Sequence, residues 1–205
     1  MTHNPDKKTT ITKAEFVKSV ISIKDLPQDN IPHICVLGKS NVGKSSFINK
    51  LCKNNKLARV SKEAGRTKTL NFFLINDGAF YLVDFPGYGY HASGKSFDVI
   101  WASLIEKYFS VCRNIVQVLA LVDIRREPAQ NDLEMIQYLY VNQIPFMVLA
   151  SKADKIAKTK IPAHLNMLAS YLKIGKDNII PFSSSNNLNI NKITHYIFQK
   201  AYQDI

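Results

Sequence analysis

Along this chain, short apolar runs alternate with stretches whose apolar residues recur every three or four positions. Ile31–Leu37 is an apolar run of strand length, and Ser45–Leu51 continues in helical style. Thr69–Ile75 and Ala79–Asp84 are extended segments joined by Asn76-Asp77-Gly78, a hairpin-type turn signal, so they are expected to pair antiparallel. Ser96–Cys112 follows as a helix, with Phe97, Ile100, Trp101, Leu104, Ile105 and Tyr108 at helical spacing. Asn114–Asp123 reads as a buried strand and Ala129–Val141 as a helix, with Pro128 acceptable near its start. Pro145–Ala150 is a central strand, Pro162–Leu172 a helix, Asn178–Phe182 a strand and Asn189–Tyr202 the closing helix. This alternation predicts an α/β fold: a mostly parallel six-stranded sheet with one antiparallel strand and helices on both faces. Residues 1–12 are polar and expected to be mobile, and Lys13–Val20 is read as a short helix packed outside the core. Residues 13–205 are expected to form a single domain.

Composition changes that picture little. The 205 residues suffice for one substantial core, and a hydrophobic fraction of 46% is that of an ordinary soluble protein. The longest apolar runs, such as Val116–Val122 with Gln117 inside it, fall short of a membrane span. The opening residues have no signal-type apolar stretch, so a cytoplasmic protein without membrane contact is expected. Cys35, Cys52 and Cys112 are odd in number and lie in apolar stretches, which reads as buried, reduced thiols. The histidines show no ligand spacing and predict no zinc site.

Charge is more telling. Twenty-seven basic residues against sixteen acidic give +11, which favours a polyanionic partner. Lys53, Lys56, Arg59, Lys62, Arg66 and Lys68 form one cluster, opposed only by Glu63. Lys152, Lys155, Lys158, Lys160, Lys173 and Lys176 form a second, with Asp154 as the one acid in that stretch. No lipidation motif or basic amphipathic anchor accompanies them, so RNA is preferred over membrane.

The motifs supply the chemistry. Gly38-Lys39-Ser40-Asn41-Val42-Gly43-Lys44-Ser45 is a complete phosphate-binding loop between a predicted strand and helix. Its backbone N–H groups close around phosphate, Lys44 reaches the outer phosphates, and the Ser45 hydroxyl ligates magnesium. Asp84-Phe85-Pro86-Gly87 ends an apolar strand and matches D-x-x-G, where the aspartate holds magnesium through water and the glycine N–H senses a γ-phosphate. Ser151-Lys152-Ala153-Asp154 follows another apolar strand and is similar to the guanine-reading N-K-x-D. A carboxylate at Asp154 can accept both the N1–H and the exocyclic amine of guanine, a donor pair adenine lacks. The Lys152 stem can lie along the base, while Ser151 in place of Asn is expected to weaken loop bracing. Phe182-Ser183-Ser184 fits, by position, the loop whose backbone meets guanine O6. Gly65-Arg66-Thr67-Lys68-Thr69 lies between the first two motifs, and spacing leaves Thr67 and Thr69 both open as the switch threonine.

Together GKSNVGKSS, AGRTKTLNFF, VDFPGYGY, LVDIRREP and ASKAD resemble the EngB (YihA/YsxC) family of ribosome-biogenesis GTP-binding proteins, from about Phe16 to the C-terminal helix. The resemblance implies a P-loop NTPase (Ras-like GTPase) fold of the TRAFAC class and selects Thr67 over Thr69. It also implies magnesium at Ser45 and Thr67, and a role in assembling the large ribosomal subunit, with its rRNA and proteins as partners. Growth and division would depend on that role. Ala64 stands where the family commonly has proline.

The expected mechanism is a switch in which GTP with magnesium orders Arg59–Thr69 and Asp84–Ser96 and GDP releases them. Lys44, Thr67 and Asn41 are the catalytic candidates. Tyr88 stands where a Ras-type enzyme has its water-positioning glutamine, so unaided hydrolysis is expected to be slow. Asn41 resembles the asparagine of potassium-activated GTPases, which makes K+ a candidate cofactor beside Mg2+. A monomer meets all of these requirements. The rival readings are a P-loop kinase and an RNA-binding factor with an inactive nucleotide site.

Overall fold

The computed structural model describes residues 9–58, 69–89 and 95–203, with 95–101 by backbone alone. The strands are β1 (Ala14–Val20), β2 (His33–Gly38), β3 (Leu70–Ile75), β4 (Phe80–Asp84), β5 (Ile115–Asp123), β6 (Phe146–Ser151) and β7 (Ile179–Pro181). The helices are α1 (Lys44–Leu51), α2 (Lys95–Val111), α3 (Gln130–Val141), α4 (Ile161–Leu172) and α5 (Ile190–Tyr202). The strands form one sheet in the order β1-β3-β4-β2-β5-β6-β7. Every neighbouring pair is parallel except those involving β3, which is antiparallel to both β1 and β4. The single reversed strand is thus as expected, but the sheet has seven strands rather than six.

The extra strand is the segment expected to be a helix. Lys13–Val20 pairs along β3 from Ala14 opposite Ile75 to Val20 opposite Leu70, with an irregularity between Phe16 and Lys18. Tertiary pairing overrides its local pattern. The β3–β4 hairpin supplies the clamp. Asn76 and Asp77 take positive φ (47° and 56°), and Gly78 follows at 119°, which turns the chain within four residues. The Asn76 carboxamide oxygen accepts from the N–H groups of Thr12 (2.9 Å) and Lys13 (3.1 Å), and its nitrogen donates to Thr10 O (2.8 Å). Residues 10–12, expected to be mobile, are therefore held, with Ile11 buried.

Each central strand is covered on both faces, which is why it reads as a continuous apolar run rather than an alternation. Cys35, Leu37, Val118, Ala120, Val148 and Ala150 face α2, α3 and α4. Ile34, Val36, Leu119, Leu121, Met147 and Leu149 face α1 and α5. Phe47 of α1 is fully buried and packs edge-on to Phe182 at 5.2 Å, so truncating it to alanine would cost about 3–5 kcal/mol. Cys35 and Cys52 are buried, as expected, whereas Cys112 is only half-buried.

Candidate functional site

In such sheets, ligands bind beyond the carboxyl ends of the parallel strands. Four of the five sequence motifs converge there. The phosphate loop leaves β2, the Asp84–Gly87 turn leaves β4, Ser151–Asp154 leaves β6, and Phe182–Ser184 leaves β7. Thr69 is described, and its hydroxyl donates to the Asn71 carboxamide oxygen at 3.3 Å. Gly65, Arg66, Thr67 and Lys68 lie outside the described residues.

The loop is tightly specified. Gly38 has φ 154°, and a Cβ there would stand 2.9 Å from both Leu121 O and Val42 Cγ1. Gly43 begins α1 at φ 112°, a left-handed value that glycine adopts without strain. A Cβ on Gly43 would meet nothing within 4 Å, so the cradle is open on that side. Lys44 opens α1 and lies 3.5 Å from Gly38 O, with Ser45 next on the first turn. Asn41, also left-handed at φ 63°, is exposed at the rim, between Ser40 and the buried Val42.

Asp84 ends β4 opposite Val36 of β2, which brings its carboxylate to the base of the loop. Burial pushes the Lys44 ammonium pKa down, opposed by Asp84. Burial pushes the Asp84 carboxyl up, opposed by Lys44 and by Asn71. Asp84 Oδ1 is buried and has no hydrogen-bond partner among the described residues. An acceptor left dry in this way is costly unless a ligand completes it. With the open side of Gly43, it leaves the cradle an acceptor and room for a phosphate group with its accompanying cation.

Ser40 ties the loop to the Asp84 turn, its N–H donating to Tyr88 O at 2.9 Å and its hydroxyl to Gly87 O at 3.3 Å. Phe85, buried, donates its N–H to Val36 O at 3.1 Å. Tyr88 does not project toward the loop: it is 3% exposed, and its hydroxyl donates to Asp132 Oδ1 on α3 at 2.7 Å. Burial and the adjacent Asp132 raise the phenol well above its ordinary pKa.

The base-reading half is fixed to the phosphate half. Ser151 still braces the loop: its buried hydroxyl donates to Val42 O at 2.9 Å. Lys152, in the left-handed region at φ 63°, donates to Asn41 O and to Asp123 Oδ2, both at 3.0 Å. Ala153 N–H donates to Phe182 O at 3.2 Å, which joins the last two loops. Asp154 Oδ1 accepts from the fully buried Ser183 hydroxyl at 2.6 Å, and Lys155 lies 3.3 Å from its other oxygen. Ser183 above all holds the Asp154 carboxyl below its usual range, so it stands ionised as an acceptor.

Sequence reasoning gave no role to Asp123 or to Asp132. Burial alone would raise the Asp123 carboxyl, but hydrogen bonds from Arg125 and Lys152 outweigh it and hold the group well below the usual range. Arg125 grips it through two nitrogens, at 2.9 and 2.8 Å. The sign that could have found Asp123 is its place as the polar end of an apolar strand, the same sign that marks Asp84. Asp132 carried no such sign, because its contact with Tyr88 spans forty-four positions.

Comparison with known proteins agrees with this geometry. A family model described as 50S ribosome-binding GTPase matches residues 33–152, more than half of the chain. A probable GTP-binding protein EngB of Bacillus cereus is 42% identical over 180 residues, 87% of this chain and 90% of that protein. Its namesake from Caldanaerobacter subterraneus is 38% identical over 193 residues, 94% and 98% of the two chains. A crystal structure of a probable GTP-binding protein engB matches with a TM-score of 0.69 at 25% identity, over 84% of this chain and all of that one. Aquifex aeolicus Era, at 22% identity and a TM-score of 0.63 over 84% of this chain and 57% of that one, shares the fold. The chain belongs to the EngB family of GTP-binding proteins, with the P-loop GTPase fold.

Proposed function

We propose that this protein is a GTP-driven switch and slow GTPase that acts, in the cytoplasm and as a monomer, on the assembling large ribosomal subunit. The observation that carries the nucleotide reading is the placement of Asp154. An ionised carboxylate, oriented by Ser183, stands on a loop braced to the phosphate cradle through Ser151 and Lys152. That arrangement suits a ligand with a guanine edge at one end and phosphates at the other.

Lys44 would hold the outer phosphates, with the N–H groups of the loop around them. Magnesium, when bound, would be held by Ser45 and Thr67 and, through water, by Asp84, and it would neutralise charge on the β- and γ-phosphates. Gly87 would sense the γ-phosphate, and its closeness to Lys44, with a Cβ on it 3.1 Å from Lys44 Nζ, supports that reading. Slow turnover is supported by Tyr88, whose hydroxyl is engaged by Asp132 instead of facing an attacking water. Lys53, Lys56, Lys155, Lys158, Lys160, Lys173 and Lys176 are all exposed, which supplies positive charge of the kind rRNA binding requires. RNA affinity would then change with nucleotide state only by as much as the two states differ in the charge they present.

Titration with fluorescent GTP and ATP in magnesium tests the first half, and preference for ATP would refute it. Sedimentation with large ribosomal subunits over a range of salt tests the second. The GTP-analogue form should co-sediment more than the GDP form, with a steep salt dependence; equal recovery in both states refutes the switch.

A further inference from the structure

We infer that Asp132 of α3 is a positioning residue for the Asp84–Gly87 turn, acting through Tyr88. The inference rests on the reading of Gly87 as the γ-phosphate sensor. The turn is pinned on both sides of that glycine. Upstream, Phe85 gives its N–H to Val36 O, and its ring is packed edge-on to Tyr108 at 5.1 Å and parallel to Phe109 at 5.9 Å. Downstream, the Tyr88 carbonyl accepts from Ser40 N–H, and its ring is buried with the hydroxyl on Asp132.

Between these anchors lie only Pro86, whose ring fixes φ, and Gly87. A Cβ on Gly87 would stand 2.9 Å from Ser40 Oγ and 3.1 Å from Lys44 Nζ, so the peptide already rests against the groups that would surround a terminal phosphate. Where Tyr88 is held therefore decides where the Gly87 N–H points.

Asp132 is built for that task. It is 6% exposed, and its two oxygens have separate partners. Oδ2 accepts the Ala129 N–H at 3.0 Å, which fixes the carboxylate to the start of α3, and Oδ1 takes the Tyr88 hydroxyl. The start of a helix also favours the negative charge. A group held at one oxygen and presenting the other is a preorganised anchor, and ordering the turn before nucleotide arrives lowers the entropy lost when γ-phosphate binds.

The test compares Tyr88→Phe, Asp132→Ala and the double variant, titrated with fluorescent GDP and a non-hydrolysable GTP analogue. Tyr88→Phe keeps the ring and the α3 cap while removing the anchor. Its GDP affinity should stay within about twofold, while analogue affinity falls about fivefold or more. The double variant should lose no more analogue-to-GDP preference than Tyr88→Phe alone, since both act through one contact. A merely structural pair would weaken both nucleotides alike. An unchanged preference, or tighter analogue binding, overturns the inference. Unmodified protein that binds the analogue and GDP equally well would instead overturn the sensor role of Gly87, and the inference with it.

Discussion

Replacing Asp123 by asparagine removes the anion on which Arg125, Arg126 and Lys152 converge at 2.8, 3.3 and 3.0 Å. The Asp123 side chain is 9% exposed, but its partners are 40%, 69% and 29% exposed, so solvent screens them unequally. Solvent screens Arg125 and Arg126, so the better-shielded Lys152 contributes most, about 1 kcal/mol. The expected loss is about 1 kcal/mol near neutral pH. The sign with pH follows from the depressed carboxyl: its contribution is complete above the unfolded value of about 4 and is lost as pH falls toward the folded value. Below about pH 4 the advantage over Asp123→Asn should shrink as the folded carboxyl takes up its proton. Urea unfolding of both proteins at pH 7, 5 and 3 measures it directly. Equal differences at pH 7 and pH 3 would refute the reasoning, since a packing defect does not titrate. Guanine nucleotide affinity should fall about tenfold, because Lys152 is left with Asn41 O as its only anchor from this group of contacts.

Three further outcomes are expected. Asp154→Asn exchanges an acceptor for a donor at the base edge, so GTP affinity should fall at least tenfold while xanthosine triphosphate binding improves, as read by competition titration. Gly38→Ala sets a Cβ against Leu121 O and Val42 Cγ1, both at 2.9 Å, and should cost about 1–3 kcal/mol in urea unfolding together with the loss of nucleotide binding. Potassium should accelerate GTP hydrolysis over sodium, and Asn41→Ala should abolish that difference in a phosphate-release assay; a cation-independent rate removes the role assigned to Asn41.

The elements that could be read from sequence are those whose pattern follows from their own surroundings. β5 and β6 are mostly apolar, Gln117 and their polar last residues aside, because helices cover both faces, and Gly38–Ser45 announces itself because its backbone geometry demands glycine at fixed places. β1 could not be read in this way. Its strand form depends on Asn76 and on the free edge of β3, both fifty or more residues away. Tyr88 looked like a substituted catalytic position, whereas its partner on α3 makes it an anchor. Ser151 looked like a weakened brace, and the distance from its hydroxyl to Val42 O shows that a shorter side chain still spans the gap.

The irregular stretch of β1 has a consequence for how copies of this molecule meet. A sheet that ends in a straight outer strand offers its backbone to any other chain in search of a partner, and Phe16, Val17 and Ile21 would make that offer sticky. The break in pairing between Phe16 and Lys18, with Lys13 and Glu15 nearby, spoils the template and sets charge beside the grease. Straightening it, by deleting Val17, should turn a quiet rim into a seed for aggregation.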